Sequence, residues 1–135
     1  MKVMLIGSVA FESKEEEVVS VLRKCGHDVL YTAGYGEPKS DTEDVLAYGA
    51  RMMRKSIDTM PTVDAVLCLN YDKAGKQNYI GGATLCELAY AFEHGKKIYI
   101  LNDIPEDSTC GPKIRFEIEM FSPIVLHSKL EDVRQ

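Results

Sequence analysis

The run Asp64-Ala65-Val66-Leu67-Cys68-Leu69-Asn70 places five consecutive apolar residues between two polar ones. A half-buried strand alternates and an amphipathic helix repeats every 3.6 residues. A short unbroken apolar run therefore reads as a strand covered on both faces, the central strand of a parallel sheet. Working outward from it, strand-like runs alternate with helix-period segments, the βαβ pattern of a sheet with helices on both sides. Upstream, residues 3–6 form the first strand and end in Gly7-Ser8. Ser13 with Glu16 reads as a capping box opening a helix whose Val18, Val19, Leu22 and Cys25 share one face, and Gly26 stops it. Residues 27–31 read as the second strand. Residues 32–39, with two glycines and a proline, read as a loop able to lie over a site.

A second capping box, Ser40 with Glu43, is expected to open a long helix. Its stripe is Val45, Leu46, Gly49, Met52, Met53, Ser56, Ile57 and Met60, and Pro61 ends it. The methionines Met52, Met53 and Met60 read as core fillers by helical spacing. Downstream of the central strand comes a polar loop, 71–78. Gly81-Gly82 then leads into a helix with an expected core face of Leu85, Leu88, Ala89 and Phe92, closed by Gly95. Residues 97–101 form the fourth strand. Residues 113–121 alternate like a strand, while Ile114, Ile118 and Phe121 also fit a helix; the βαβ alternation selects the helix. Residues 123–126 complete the set as a fifth strand, and the charged tail is expected to fray. The expected architecture is one flavodoxin-like α/β domain over residues 1–135, with a five-stranded, mostly parallel sheet in the order 2-1-3-4-5 and helices on both faces.

Composition agrees with a packed domain of this size. Of 135 residues, 45% are hydrophobic and 27% charged, so a core forms without staples. Sixteen Lys+Arg against twenty-one Asp+Glu give a net charge of −5, the wrong sign for binding polymeric nucleic acid through its phosphates. The start of the chain lacks the apolar stretch and cleavage pattern of a signal peptide, and no window approaches the roughly twenty apolar residues of a membrane span. A cytoplasmic protein without membrane contact is expected. Cys25, Cys68, Cys86 and Cys110 form no close pair, which argues for reduced, mostly buried thiols and against a metal site.

In an open α/β sheet, ligands bind beyond the carboxyl ends of the strands, which directs attention to the loops that follow them. Gly7-Ser8 and Gly81-Gly82-Ala83-Thr84 are small residues just before helices, where free backbone N–H groups and a helix dipole favour a phosphate or carboxylate. Neither matches a Walker A or GxGxxG pattern. Tight strand-to-helix turns are the plainer reading of the same glycines. Glu87 lies three residues after Thr84, off the apolar stripe. One reading makes it the partner of Thr84 in a capping box, and the other makes it a nucleophile or general base at the mouth of the strand-three crevice. His27, His94 and His127 fall at element ends and read as caps or surface groups, and Asp64 as a cap on its strand.

The strand 64–70, the turn and helix Gly81-Gly82-Ala83-Thr84-Leu85-Cys86-Glu87-Leu88-Ala89-Tyr90-Ala91 and the segment Gly95-Lys96-Lys97-Ile98 together resemble the nucleoside 2-deoxyribosyltransferase superfamily, which includes the 2′-deoxynucleoside 5′-monophosphate N-hydrolases. Gly7-Ser8 is similar to that family's opening sugar or phosphate loop. The resemblance implies cleavage of the N-glycosidic bond of a nucleoside or its 5′-monophosphate, by hydrolysis or deoxyribosyl transfer, with Glu87 as the nucleophile. It implies no cofactor and no metal, a small-molecule nucleoside or nucleotide as ligand, and a homodimer or higher homo-oligomer. The family's second carboxylate corresponds to Ser56 here, so Asp58 and Asp72 become the catalytic candidates beside Glu87. Asp58 lies about 200° around the helix from Ser56. Gly7, Ser8, Phe11, Asn70, Asn78, Tyr79, Gly81, Gly82 and Thr84 are the substrate-binding candidates. The long loop before Glu87 offers Asp72, Lys73, Lys76, Asn78 and Tyr79 as sources of the missing acid or of a different specificity. Two rivals accompany this reading: a non-catalytic nucleotide-binding or sensing module on the same fold, and a structural domain in which Glu87 only caps its helix.

Overall fold

Strands β1 (Lys2–Gly7), β2 (Asp28–Leu30), β3 (Ala65–Leu69), β4 (Lys97–Ile100) and β5 (Ile124–Val125) pair in the order β2-β1-β3-β4-β5. All four pairings are parallel. The computed structural model describes residues 1–107 and 113–134; Cys110 lies outside the described residues. The apolar run 65–69 is buried throughout and occupies the middle of the sheet, paired with β1 on one side and β4 on the other. Helices α1 (Glu12–Lys24), α2 (Val45–Thr59), α3 (Gly82–Glu93) and α4 (Arg115–Met120) cross over between the strands.

The period of two along β1 divides the core into two layers. Val3 and Leu5 pack with Val18, Val19 and Leu22 of α1, whereas Met4 and Ile6 pack with Leu88 and Ala91 of α3 and Ile118 of α4. Segment 113–121 is thus helical, as the βαβ alternation requires, and Ile114 and Ile118 are its buried residues.

Several local expectations need correction. Helix α1 begins at Glu12, ahead of Ser13, and its N-cap residue Phe11 makes no side-chain cap bond. The capping hydroxyl is Ser8, whose Oγ accepts from the Ala10 N–H at 3.2 Å and starts the 3-10 turn Val9–Phe11. Glu16 is freed from capping and accepts from the Tyr31 and Tyr35 hydroxyls. At α2 the Ser40 N–H does donate to Glu43, but Asp44 caps the helix by accepting from the Ala47 N–H at 2.7 Å. Of the expected α2 stripe only Ser56 and Met60 are buried, Met60 in the core as its spacing predicts. Within the helix Ser56 is the buried residue, while Val45 is 73% and Leu46 84% exposed. The middle of that stripe faces a cavity instead of the sheet.

On α3 the buried stripe is Thr84, Leu88 and Ala91, with Leu85 partly buried beside it and with Ala89 and Phe92 exposed. The tail does not fray. It makes a 3-10 turn, Leu130–Asp132, buries Val133 against α1's layer, and its Arg134 carbonyl accepts from the Tyr99 hydroxyl at 2.5 Å. Of the described cysteines Cys68 is buried, whereas Cys25 and Cys86 are exposed; all three are free thiols. Among the described residues no helix is long and apolar enough to cross a membrane.

Candidate active site

Beyond the carboxyl ends of β1 and β3 lies a cavity of about 340 Å³. Its floor is Gly7 and Ser8, one wall is the start of α3 from Gly81 to Thr84 with Glu87 one turn further on, and the opposite wall is Tyr48, Gly49, Met52 and Met53 of α2. The loop after β2 closes a side with Thr32, Ala33, Gly34 and Tyr35, and Val9, Glu12 and Tyr79 complete the lining.

Gly7 is demanded by its surroundings. Its φ is +154°, and a Cβ there would stand 2.9 Å from the Leu69 carbonyl oxygen, because the chain turns off β1 directly against β3. Ser8 follows, its Oγ accepting from Ala10 N–H and from the Lys73 ammonium at 3.1 Å. That ammonium also sits 4.7 Å from the centre of the Tyr79 ring. Gly81 at the N-cap of α3 has no side chain to offer, and the Tyr79 hydroxyl fills the space, 2.8 Å from where a Cβ would be.

Helix α3 starts at Gly82 without a side-chain cap, so the Thr84–Glu87 capping box does not form: Thr84 is buried and Glu87 is turned to the cavity. The Glu87 Oε2 accepts from the Ser56 hydroxyl at 2.5 Å. Burial pushes the carboxyl up to about 7, and the Ser56 bond, which favours the charged form, only partly offsets it. A carboxyl held there is about half ionised at neutral pH, the range in which acid–base and nucleophilic roles are both open.

The loop over the cavity is pinned by three carboxylates from the first turns of α1. Glu15, itself buried, accepts from both the N–H and the hydroxyl of Thr32 at 2.8 Å. Glu12 accepts from the Gly36 N–H at 2.7 Å, and Glu16 from the Tyr35 hydroxyl at 3.0 Å. The Tyr48 hydroxyl of α2 donates to the Glu37 carbonyl, tying the loop to the opposite wall.

Of the candidates named from sequence, Gly7, Ser8, Tyr79, Gly81, Gly82, Thr84 and Glu87 are brought together in the cavity lining. Asp58 is exposed on α2, outside the lining. Asp72 is spent within its own loop, accepting from the Asn78 N–H at 2.9 Å, and Asn78 takes a left-handed φ of 51° in that turn. Phe11 is buried in the core, edge-on to Tyr71. Asn70 is fully buried and clamps the ends of β3 and β4: its amide donates to the Asn102 and Asp103 carbonyls, and its Oδ1 accepts from the Asn102 N–H. Helical spacing predicts core positions for Met52 and Met53, which instead form the apolar wall, and no motif marks Glu12, Thr32, Tyr35 or Tyr48. The acidic run in α1 was the available signal for Glu12, since carboxylates grouped at a helix start that do not cap it must find partners elsewhere. Among the described residues no three His, Cys, Asp or Glu side chains converge as a metal-ligand set.

The fold and the crevice define the class: a parallel flavodoxin-like sheet with a carboxylate-bearing cavity at the carboxyl ends of its central strands. Solved structures of the same fold include a 2-deoxyribosyltransferase from Bacillus psychrosaccharolyticus, with a TM-score of 0.59 and 17% identity over 99% of this chain and 93% of that one. A 2-deoxyribosyltransferase from Leishmania mexicana aligns with a TM-score of 0.55 and 17% identity over 82% of this chain and 71% of that one. No family model matches the sequence, and no curated protein matches it at the sequence level. At these identities the likeness establishes the fold.

Proposed function

We propose that this protein cleaves the N-glycosidic bond of a nucleoside or its 5′-monophosphate, with Glu87 as the nucleophile, by hydrolysis or by deoxyribosyl transfer. The observation that carries the reading is the Glu87 carboxylate, desolvated and held by Ser56 inside a cavity of about 340 Å³. The 2-deoxyribosyltransferases that share the fold support the same class of chemistry. In this reading a Glu87 oxygen attacks C1′ of the sugar, the bond from C1′ to the base breaks, and the glycosyl ester that forms is resolved by water or a second base. Ser8 and the N–H groups at the start of α3 hold the sugar or its phosphate, and the Met52–Met53 wall packs on the apolar face of the ligand.

The test is chromatographic detection of free base after incubation with a panel of deoxy- and ribonucleosides and their 5′-monophosphates, beside Glu87→Ala. Base released by the wild-type protein and at least 1,000-fold more slowly by the variant is the expected result, on the order of a lost nucleophile. Absence of release from every compound overturns the catalytic reading. If one compound then raises the melting temperature, the crevice is a binding module, because a ligand that binds only the folded state must stabilise it.

A further inference from the structure

A glycosidase that works through a carboxylate nucleophile needs a second group to give a proton to the departing base and later take one from water. Of the sequence candidates for that role, Asp58, Asp72, Lys73, Lys76 and Asn78 lie outside the cavity lining, and Tyr79 lies within it. Besides Glu87, the lining holds one other carboxyl, Glu12, the phenols of Tyr35, Tyr48 and Tyr79, and the alcohols of Ser8, Thr32 and Thr84, which are too weakly acidic for the role. The phenols are disfavoured by what they already do. The Tyr35 hydroxyl is given to Glu16 and the Tyr48 hydroxyl to the Glu37 carbonyl. Tyr79 is packed against the start of α3, its hydroxyl 2.8 Å from where a Gly81 Cβ would be, with the Lys73 and Lys76 ammonium groups over its ring. Among the described residues no lysine, arginine or histidine lines the cavity.

Glu12 differs on each count. It sits at the first position of α1, on a different wall from α3, beside the loop that closes the cavity. One of its oxygens, Oε1, is fixed by the Gly36 N–H, which sets the side chain's direction, and Oε2 has no hydrogen-bond partner among the described residues. A carboxyl anchored through one oxygen and open at the other is suited to passing a proton in both directions.

We infer that Glu12 is the acid–base partner of Glu87, a reading that rests on the glycosidic-cleavage function proposed above. In the first step Glu87 forms its bond to C1′, the C1′–N electron pair moves onto the base nitrogen, and the base collects the Glu12 proton. In the second step water gives a proton back to Glu12 while its oxygen bonds to C1′, and the C1′–Glu87 bond breaks with its electrons returning to the carboxylate. The sum is nucleoside plus water to free base plus sugar, with both carboxyl groups restored.

The experiment compares wild type, Glu12→Gln and Glu87→Ala on 2′-deoxyguanosine and on 7-methyl-2′-deoxyguanosine, whose cationic base departs without needing a proton. Glutamine retains an oxygen for the Gly36 N–H, so the loop stays anchored. The expected result for Glu12→Gln is a hundredfold or greater loss of kcat on 2′-deoxyguanosine with KM within threefold, and a loss at least tenfold smaller on the methylated substrate; Glu87→Ala loses both. Equal losses of Glu12→Gln on the two substrates, or no loss, overturn the assignment. In parallel, Glu12→Ala is given sodium azide with whichever compound of the panel the wild type cleaves fastest. Formation of the glycosyl azide with the substrate's own anomeric configuration is expected, since azide replaces water at the Glu87 ester without needing a base. Free sugar alone, formed at the wild-type rate, overturns the assignment. Failure of the wild type to cleave any compound strikes the functional reading itself and is distinguishable from either outcome.

Discussion

The Ser56 hydroxyl donates to the Glu87 carboxylate at 2.5 Å, across the gap between α2 and α3. Ser56 is the buried residue of α2, so a helix that otherwise stands against a cavity touches the nucleophile candidate at its one packed position. The bond favours the ionised carboxylate against a larger opposing effect from burial. Removing it must therefore raise the Glu87 value beyond about 7. A nucleophile reacts as the carboxylate, so the acid limb of the wild-type pH–rate profile is expected to follow the ionisation of Glu87, near 7. In Ser56→Ala this limb moves to higher pH. A severalfold loss of kcat/KM at pH 7 that shrinks at pH 9 is the outcome to look for in the pH–rate profile, and an unmoved limb would count against Glu87 as the titrating nucleophile.

Stability should run the other way. The folded state holds the Glu87 proton more tightly than the unfolded chain does, whose carboxyl keeps its ordinary 4.5. Folding is thus unpenalised below pH 4.5 and loses stability as pH rises through about 7, by about 3 kcal/mol at full ionisation. Glu87→Gln removes the charge and keeps an acceptor for Ser56. It is expected to stabilise the protein by about 2–3 kcal/mol at pH 8 and to leave it unchanged near pH 4, read from urea midpoints at the two pH values.

The loop over the cavity depends on Glu15. Both of its oxygens are taken by Thr32, and burial nonetheless pushes its carboxyl up from the ordinary value. Glu15→Ala leaves the Thr32 N–H without its partner and unfastens residues 32–35 from α1. A loss of about 1–3 kcal/mol is expected. Because those residues line the cavity, KM should rise about tenfold with kcat changed less, which steady-state kinetics on the cleaved nucleoside will show.

Gly7→Ala tests the floor. The substitution combines a φ of +154° with a Cβ 2.9 Å from the Leu69 carbonyl oxygen, so β1 and β3 must separate or the turn into Ser8 must shift. About 1–3 kcal/mol of destabilisation is expected, seen as a lower denaturation midpoint at unchanged m-value. Retention of full stability would mean that the turn relaxes freely.

The sequence by itself determined the sheet. Five apolar runs separated by helix-length segments admit few arrangements, and the unbroken run at 65–69 could only sit where both faces are covered, so strand order, parallel pairing and the crossover helix at 115–120 were legible. The carboxyl-end rule likewise selected Gly7, Ser8, Gly81 and Glu87 as a group, because it depends only on where strands end. Tertiary structure decided which face of each helix met the core and which met the cavity. Met52 and Met53 have the spacing of core residues, yet line a wall of the cavity, on a helix tied to the loop after β2 through Tyr48 and the Glu37 carbonyl. Glu12, Glu15 and Glu16 look like a solvated acidic run. Their partners, Gly36, Thr32 and the tyrosines 31 and 35, lie 15 to 24 residues away in the chain and meet them only when β2 docks beside β1. Local spacing records the period of an element. Which side of that element faces a ligand is set by contacts between residues distant in sequence, and those exist only in the folded chain.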